Sequence, residues 1–572
     1  MTQPLTLSTG RYASKGTKPI QQDFSACVVP KGATLDMKGA AFAIADGISS
    51  SDVSQIASET AVTSFLEDYV CTSEAWSVRT AAERVLLATN SWLYSQTRNG
   101  PSRYDPNRGY VCTFSGLIIK ASTAHVIHVG DSRVYRLRDK ALEQLTHDHR
   151  LWASETESYL SRALGVNDQL EIDHRAETVR QGDVFFLSTD GVHEHCKTKQ
   201  IIEAVDRYAD DLDQAAEHLV ELALEQGSDD NLTVQIVRVD ALPESDRPAL
   251  DHQIENLPFP PMLEPRNEFD GHTILRELHS NSRSHVYLAV DNASDTQVVL
   301  KTPSIDLRDD PQYLEGLLME EWIARRVNSA HVMKAGLPDR PRHYLYTAME
   351  YIEGQTLRQW LNDNPEPDLE TVRGIVEQVA RGLYALHRME ILHQDIRPEN
   401  LMLDNQGTVK IIDFGAAQVA GILEASELGP TEFPGTALFM APEYFLGETG
   451  TTRSDLFSLG VLAYHLLSGD FPYGTGMAKC RTATAQRRLI YQSVLDDDRE
   501  IPSWIDQTLR KAVQVNPEKR YQELSEFIHD LRHPNPEFLS QTRPPLLERN
   551  PVAFWQGVSA ILAAIVVFLL AR

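Results

Sequence analysis

Two proline-rich stretches without hydrophobic periodicity interrupt the chain and restrict it to folding in separate blocks. They are residues 241–266, ALPESDRPALDHQIENLPFPPMLEPR, and residues 534–551, PNPEFLSQTRPPLLERNP. Proline fixes φ and removes a backbone donor, so such stretches suit extended connectors better than helices or central strands. In a chain of 572 residues they leave two blocks, 1–240 and 267–533, each large enough for a core of its own. Beyond them, residues 552–571 read VAFWQGVSAILAAIVVFLLA. As a helix this run is about 30 Å long, the hydrocarbon thickness of a bilayer, and it is apolar nearly all round. A single transmembrane helix is expected there. The first residues, MTQPLTLSTGRYASKG, hold no apolar run, so no secretory signal peptide is expected.

Charge and cysteine usage narrow the class. Against 54 Lys and Arg stand 81 Asp and Glu, a net charge of −27. A phosphate backbone needs a basic footprint, so nucleic acid is not an expected partner. The five cysteines (Cys27, Cys71, Cys112, Cys196, Cys480) show no C-x-x-C spacing. That argues against a zinc ribbon or a disulfide framework and for a reducing compartment.

In the first block the runs AAFAIAD, FSGLIIKA, TAHVIHVGD, DVFFLSTD and LTVQIVRV predict strands. SQIASETAVTSFLEDYV and TAAERVLLATNSWLYSQT have helical spacing. The expected fold class is α+β, a β-sandwich with helices outside. Four strand boundaries carry aspartate: Asp46-Gly47, Asp131-Ser132-Arg133, Asp190-Gly191 and Asp230-Asn231. One Asp-Gly is only a turn. Several carboxylates delivered to one sheet edge can hold hard divalent cations, and two such ions can activate a water for attack on phosphorus.

The set Gln22-Asp23, Ala45-Asp46-Gly47, Val129-Gly130-Asp131-Ser132-Arg133, Thr146-x-Asp148-His149, Thr189-Asp190-Gly191 and Asp230-Asn231-x-Thr233 resembles the metal-dependent type-2C (PPM) Ser/Thr protein phosphatases. The resemblance implies two or three Mn²⁺ or Mg²⁺ ions. Asp46 would bridge two of them, Asp190 and Asp230 would complete one shell, and the Gly47 carbonyl would serve the other ion. Asp23 would hold a metal-bound water and Asp131 a third ion. Lys18 stands where the family usually has a phosphate-gripping Arg, so charge is kept but the bidentate fork is lost. Ser49-Ser50 replaces paired glycines, and Glu194 replaces a common Asp.

The second block opens with strand-like HVYLAVDN and TQVVLKT and turns mainly helical after Tyr351, which predicts two lobes with a cleft. It contains Lys301 at a strand end, Glu320 in LLMEEWIARRV, His393-Gln394-Asp395-Ile396-Arg397-Pro398-Glu399-Asn400, Asp413-Phe414-Gly415 and Ala441-Pro442-Glu443. These are the parts that phosphoryl transfer from ATP requires. Together with Asp455, Gly460 and Arg520 they resemble the eukaryotic-type Ser/Thr protein kinases. The resemblance implies that Lys301 pairs the ATP phosphates and Glu320, with Glu321 the alternative helix partner. Asp395 would be the catalytic base, with Arg397 beside it in place of the usual Lys. Asn400 and Asp413 would hold Mg²⁺, and Glu350 and Ile352 would contribute to ATP binding. The glycine-rich loop is replaced by His279-x-Asn281-x-x-Ser284-x-Val286, and Gln394 takes the place of an Arg that can bind an activation-loop phosphate.

The resulting expectation is a bifunctional, bacterial-type enzyme. A phosphatase and a kinase would share one chain, anchored in the inner membrane with both domains cytoplasmic. ATP and protein or phosphoprotein substrates would be the partners, the chain's own serines and threonines among them. The alternative is a membrane-anchored signalling scaffold in which one or both domains only bind nucleotide or phosphoprotein.

Overall fold

A computed structural model describes residues 4–105, 108–152, 158–243, 257–280, 283–307, 310–336, 342–423, 437–495, 501–539 and 551–570. The chain forms two compact units that part at Asp251 and His252, within the first proline-rich stretch, with a short segment from Ala420 grouped in the first unit.

The first unit is a sandwich of two five-stranded antiparallel sheets. One runs in the order Thr6–Ser14, Leu232–Ala241, Val184–Ser188, Arg133–Arg138, Ala141–Gln144. The other runs Asp173–Thr178, Thr123–Val129, Phe114–Lys120, Ala40–Asp46, Asp23–Val28. The run AAFAIA is apolar at every position because both of its faces are buried. Ala40, Phe42 and Ile44 point into the layer between the sheets with Leu117, Phe185, Leu187 and Val237. Ala41, Ala43 and Ala45 face the other way, under the helices Ser54–Cys71 and Val78–Asn99. This is the period-2 alternation of a strand with a core on each side. Helices Thr198–Arg207 and Leu212–Glu225 cover the outer face of the first sheet. All five cysteines are free thiols.

The second unit begins with a five-stranded antiparallel sheet, Glu268–Phe269, His272–Ser280, Ser284–Asp291, Thr296–Pro303 and Thr347–Glu350, with helix Pro311–Arg326 between its last two strands in sequence. The remainder is mainly helical, built on Leu369–His387 and Thr452–Ser468. The first of these is capped by Asp368, whose carboxylate accepts from Thr371 N at 2.8 Å, and it buries Val372, Ile375, Val376, Val379, Leu383 and Leu386 at helical spacing. Residues 257–266, expected as connector, belong to this unit's packing. Leu263 is buried in the sheet's core with Phe269, Ile274 and Tyr287, and Leu345 N donates to the Pro258 carbonyl at 3.0 Å. Proline there ends a pattern without preventing burial of its apolar neighbours.

The C-terminal apolar run forms one helix, Pro551–Leu570. Among the described residues no helix is long and apolar enough to cross a membrane. The side chains of 567–570 and all of 571 lie outside the described residues.

Candidate active sites

In the first unit the topology gathers the aspartates at one edge of the sandwich. Asp23 and Asp46 sit opposite each other across an antiparallel pair. Asp131 follows the strand Thr123–Val129, Asp190 follows Val184–Ser188, and Asp230 precedes Leu232–Ala241. Backbone space at Gly47 is closed: a Cβ there would stand 2.7 Å from the Ser54 carbonyl oxygen and 2.9 Å from that of Gln22. Asn231 locks the loop that carries Asp23 and Lys18. It accepts from Gln22 N at 2.8 Å and donates to the Lys15 and Ile20 carbonyls, each at 3.0 Å.

The electrostatics of this edge are unfavourable without counter-charge. Burial, followed by the negative charges of Asp23, Asp190, Asp131 and Asp230, pushes the Asp46 carboxyl well above its ordinary value. Burial likewise raises Asp23 to about 7, against hydrogen bonds to its Oδ2 from Thr189 and Thr233, each 2.8 Å. Two side-chain cations supply part of the balance. Lys18 Nζ lies 3.2 Å from Asp230 Oδ1 and donates to Ser49 Oγ at 3.2 Å. Arg150 reaches Asp131 Oδ2 at 2.5 Å, Asp190 Oδ2 at 2.7 Å and Glu194 Oε1 at 2.8 Å. With the carboxylates held this way, no group of three or more His, Cys, Asp or Glu among the described residues stands in metal-holding geometry. The donor set nonetheless fits divalent ions. It is all hard oxygen, and Asp23 Oδ1 and Asp190 Oδ1 are buried with no hydrogen-bond partner. The Asp148 of the Thr-x-Asp-His motif has a different task, since its carboxylate grips Arg133 at 2.9 and 2.7 Å.

In the second unit Lys301 Nζ meets Glu320 Oε1 at 2.6 Å. Glu321, the alternative helix partner, is buried as well but is held elsewhere. Its carboxylate pairs with Arg325 and Arg342 and accepts from Ala348 N at 3.0 Å, while Ile323 and Val327 are buried beside it. Burial works against the Lys301 charge, but Glu320 and Asp413 outweigh it and hold the ammonium above its ordinary value. Asn400 Nδ2 donates to Asp395, at 2.9 Å to its carbonyl and 2.7 Å to its Oδ2, which fixes base and amide as one group. Asp413 Oδ1 accepts from Gly415 N at 2.9 Å, and Phe414 is fully buried against His393. Asp455 accepts from the backbone N–H groups of His393 and Gln394 at 2.9 and 2.8 Å. That pair of bonds holds Gln394 at φ +66°, a costly backbone for a non-glycine residue.

Two of the expected site residues turn out to have other partners. The Glu350 side chain is engaged by Lys410 Nζ, 2.9 Å from each oxygen, and by Lys334 N at 2.9 Å. The Glu350 backbone N also donates to the Lys334 carbonyl at 3.0 Å, and Ile352 nearby in the chain is buried. Arg397 Nε donates to Glu399 at 2.8 Å. His279 and Ser284 lie on paired strands, whereas Asn281 lies outside the described residues.

Residues 10–231 match the family model described as Protein phosphatase 2C, and residues 273–534 match that described as Protein kinase domain. The serine/threonine-protein kinase PknA of Corynebacterium glutamicum is 29% identical over 249 residues, 43% of this chain and 52% of that protein. Among solved structures, the serine/threonine phosphatase PstP/Ppp of Mycobacterium tuberculosis is 23% identical, covering 41% of this chain and 99% of that one, with a TM-score of 0.35. The PknI kinase domain of the same organism is 23% identical, covering 47% and 98%, with a TM-score of 0.37. The chain spans between 39% and 61% of the length of the curated relatives it matches.

Proposed function

We propose that this chain, a protein phosphatase 2C domain joined to a protein kinase domain, is a bifunctional signalling enzyme. Its first unit hydrolyses phosphoserine and phosphothreonine on proteins, and its second transfers phosphoryl groups from ATP to serine and threonine. The observation that carries this reading is that each unit holds its own set of phosphoryl-handling residues and no residue serves both.

In the first unit Asp46, Asp190, Asp230 and the Gly47 carbonyl are the donors for Mn²⁺ or Mg²⁺, with Asp131 available to a further ion. Bound metal supplies a water of lowered pKa and a Lewis acid. Thr189 and Thr233 orient Asp23 through its Oδ2, leaving Oδ1 to accept a proton or hold a water. Lys18 brings a single cation to the substrate phosphate. In the second unit Lys301, set by Glu320, holds the ATP phosphates, Asp395 accepts the proton of the acceptor hydroxyl, and Asn400 and Asp413 hold Mg²⁺. The test is one preparation assayed twice. With Mn²⁺ it should release phosphate from a phosphothreonine peptide, and with Mg²⁺ and labelled ATP it should label a protein acceptor. Hydrolysis that persists in excess EDTA, or no transfer from ATP, removes the corresponding half.

The same reading places the chain at the inner membrane, held by one C-terminal helix with both units cytoplasmic. What supports it is the absence of Asp, Glu, Lys and Arg from 552–571 and the basic residues Arg543 and Arg549 just before that run. A chain ending at Pro545 should move from the membrane pellet to the supernatant on fractionation. If it still pellets, the helix is not the anchor.

A further inference from the structure

Arg150 was not among the site residues expected from sequence, yet it touches more of the acidic edge than any expected one. Its strand, Arg150–Trp152, starts from a clamped backbone. His149 N donates to the Gly130 carbonyl at 2.7 Å, Gly130 N donates to His149 Nδ1 at 3.1 Å, and Ser161 N donates to the His149 carbonyl at 2.8 Å. The guanidinium is thereby delivered beside Asp131 instead of swinging in from solvent, and its side chain is only 17% exposed. Each of its three nitrogens meets a different carboxylate, those of Asp131, Asp190 and Glu194. Such a planar fork satisfies several oxygens at once, which a Lys ammonium could not do from the same place.

The oxygens that Arg150 uses are the ones a divalent ion at this end of the edge would need. Asp190 is divided: its Oδ2 is taken by Arg150, while its Oδ1 is buried and without a partner. Asp23 Oδ1 is in the same unpartnered state. Arg150 thus neutralises one end of the carboxylate cluster, while at the other Lys18 reaches Asp230 alone and Asp23 Oδ1 keeps no partner.

We propose that Arg150 is a tethered cation that competes with a divalent ion for Asp131, Asp190 and Glu194, and so sets how many ions the first unit takes and how tightly. This rests on the phosphatase reading above. Competition of this kind is linkage: whatever holds the guanidinium on the carboxylates weakens metal there by the same factor.

The experiment is equilibrium dialysis of the full chain against Mn²⁺ without nucleotide, with bound metal counted by atomic absorption. The Asp46→Asn chain supplies the background. Arg150→Gln should bind one more Mn²⁺ per chain than wild type at equal free Mn²⁺, or reach the wild-type count at roughly tenfold lower free Mn²⁺. Arg150→Lys keeps a cation and the stem that packs beneath it but loses the fork. It should fall between the two, and it keeps the test open should the glutamine variant fold poorly. If wild type binds above background and both variants match it in count and affinity, the competition is refuted while the phosphatase reading stands. If neither wild type nor variants bind above background, the metal reading fails and takes this proposal with it.

Discussion

Asp46→Asn should lower hydrolysis of a phosphothreonine peptide by about a thousandfold or more, the scale seen when a transition-state charge loses its preorganised partner. Transfer from ATP by the same chain should stay within about twofold, because the residues expected to carry it all belong to the other unit. The argument rests on position. Asp46 ends an interior strand of one sheet and faces Asp23 across the pairing, and its carboxyl feels Asp23, Asp190, Asp131 and Asp230 together. Its burial among four other carboxylates is the setting that a ligand shared by two bound ions would require. Asparagine keeps its shape and removes its charge. Because burial and repulsion already disfavour that charge, the metal-free variant should melt no lower than wild type, and calorimetry in EDTA separates this loss from unfolding. Hydrolysis within tenfold of wild type would mean that Asp46 is not the shared ligand.

How much of this was readable beforehand follows from where each contact comes from along the chain. Asp46 was visible because a fully apolar strand ending in Asp-Gly is a local pattern. The Asp395–Asn400 bond was visible because five residues separate the partners. Glu320 could be chosen over Glu321 because only with Glu320 do Ile323 and Val327 keep the apolar spacing of the family that this block resembles. Arg150 could not be seen that way. Its partners lie 19, 40 and 44 residues away, and they converge only after two sheets have stacked. The same holds for Glu350, whose partner Lys410 is 60 residues distant. Proline misled in one place. Residues 257–266 have the composition of a connector, but Leu263 finds a pocket in the neighbouring sheet, and burial of one apolar side chain decides the matter over local pattern.

Arg520→Ala should be the most damaging single change to the second unit. The Arg520 side chain is fully buried and its fork is matched to Glu443, with Nη1 to Oε1 at 2.8 Å and Nη2 to Oε2 at 2.7 Å. The same guanidinium donates to the carbonyls of Gln514, Arg453 and Val515 at 2.7, 2.9 and 3.2 Å. It thus ties together the Pro442–Leu446 turn, the start of helix Thr452–Ser468 and the chain after Ser503–Ala512. Removing it leaves Glu443 buried without a cation, held by the Ser454 hydroxyl 2.6 Å away and its own backbone N–H. Breaking a buried pair from one side costs about 3–5 kcal/mol. In a unit of this size that lowers its melting transition by about 6–20 °C, while the transition of the first unit should not move. The pair also makes an acid limit. Burial alone would raise the Glu443 carboxyl, but Arg520 and Ser454 hold it below its ordinary value. A carboxylate depressed in the folded state adds stability above its unfolded pKa and loses it as pH falls through the folded one. Wild type should therefore shed this stability only below about pH 4.5, whereas Arg520→Ala should have none to shed and show a flatter acid limb. The double change Arg520→Met with Glu443→Leu, which leaves no unpaired charge, should recover part of the loss. A shift of less than about 2 °C in Arg520→Ala, or a double variant worse than the single, would show that the pair does not hold this part of the unit together.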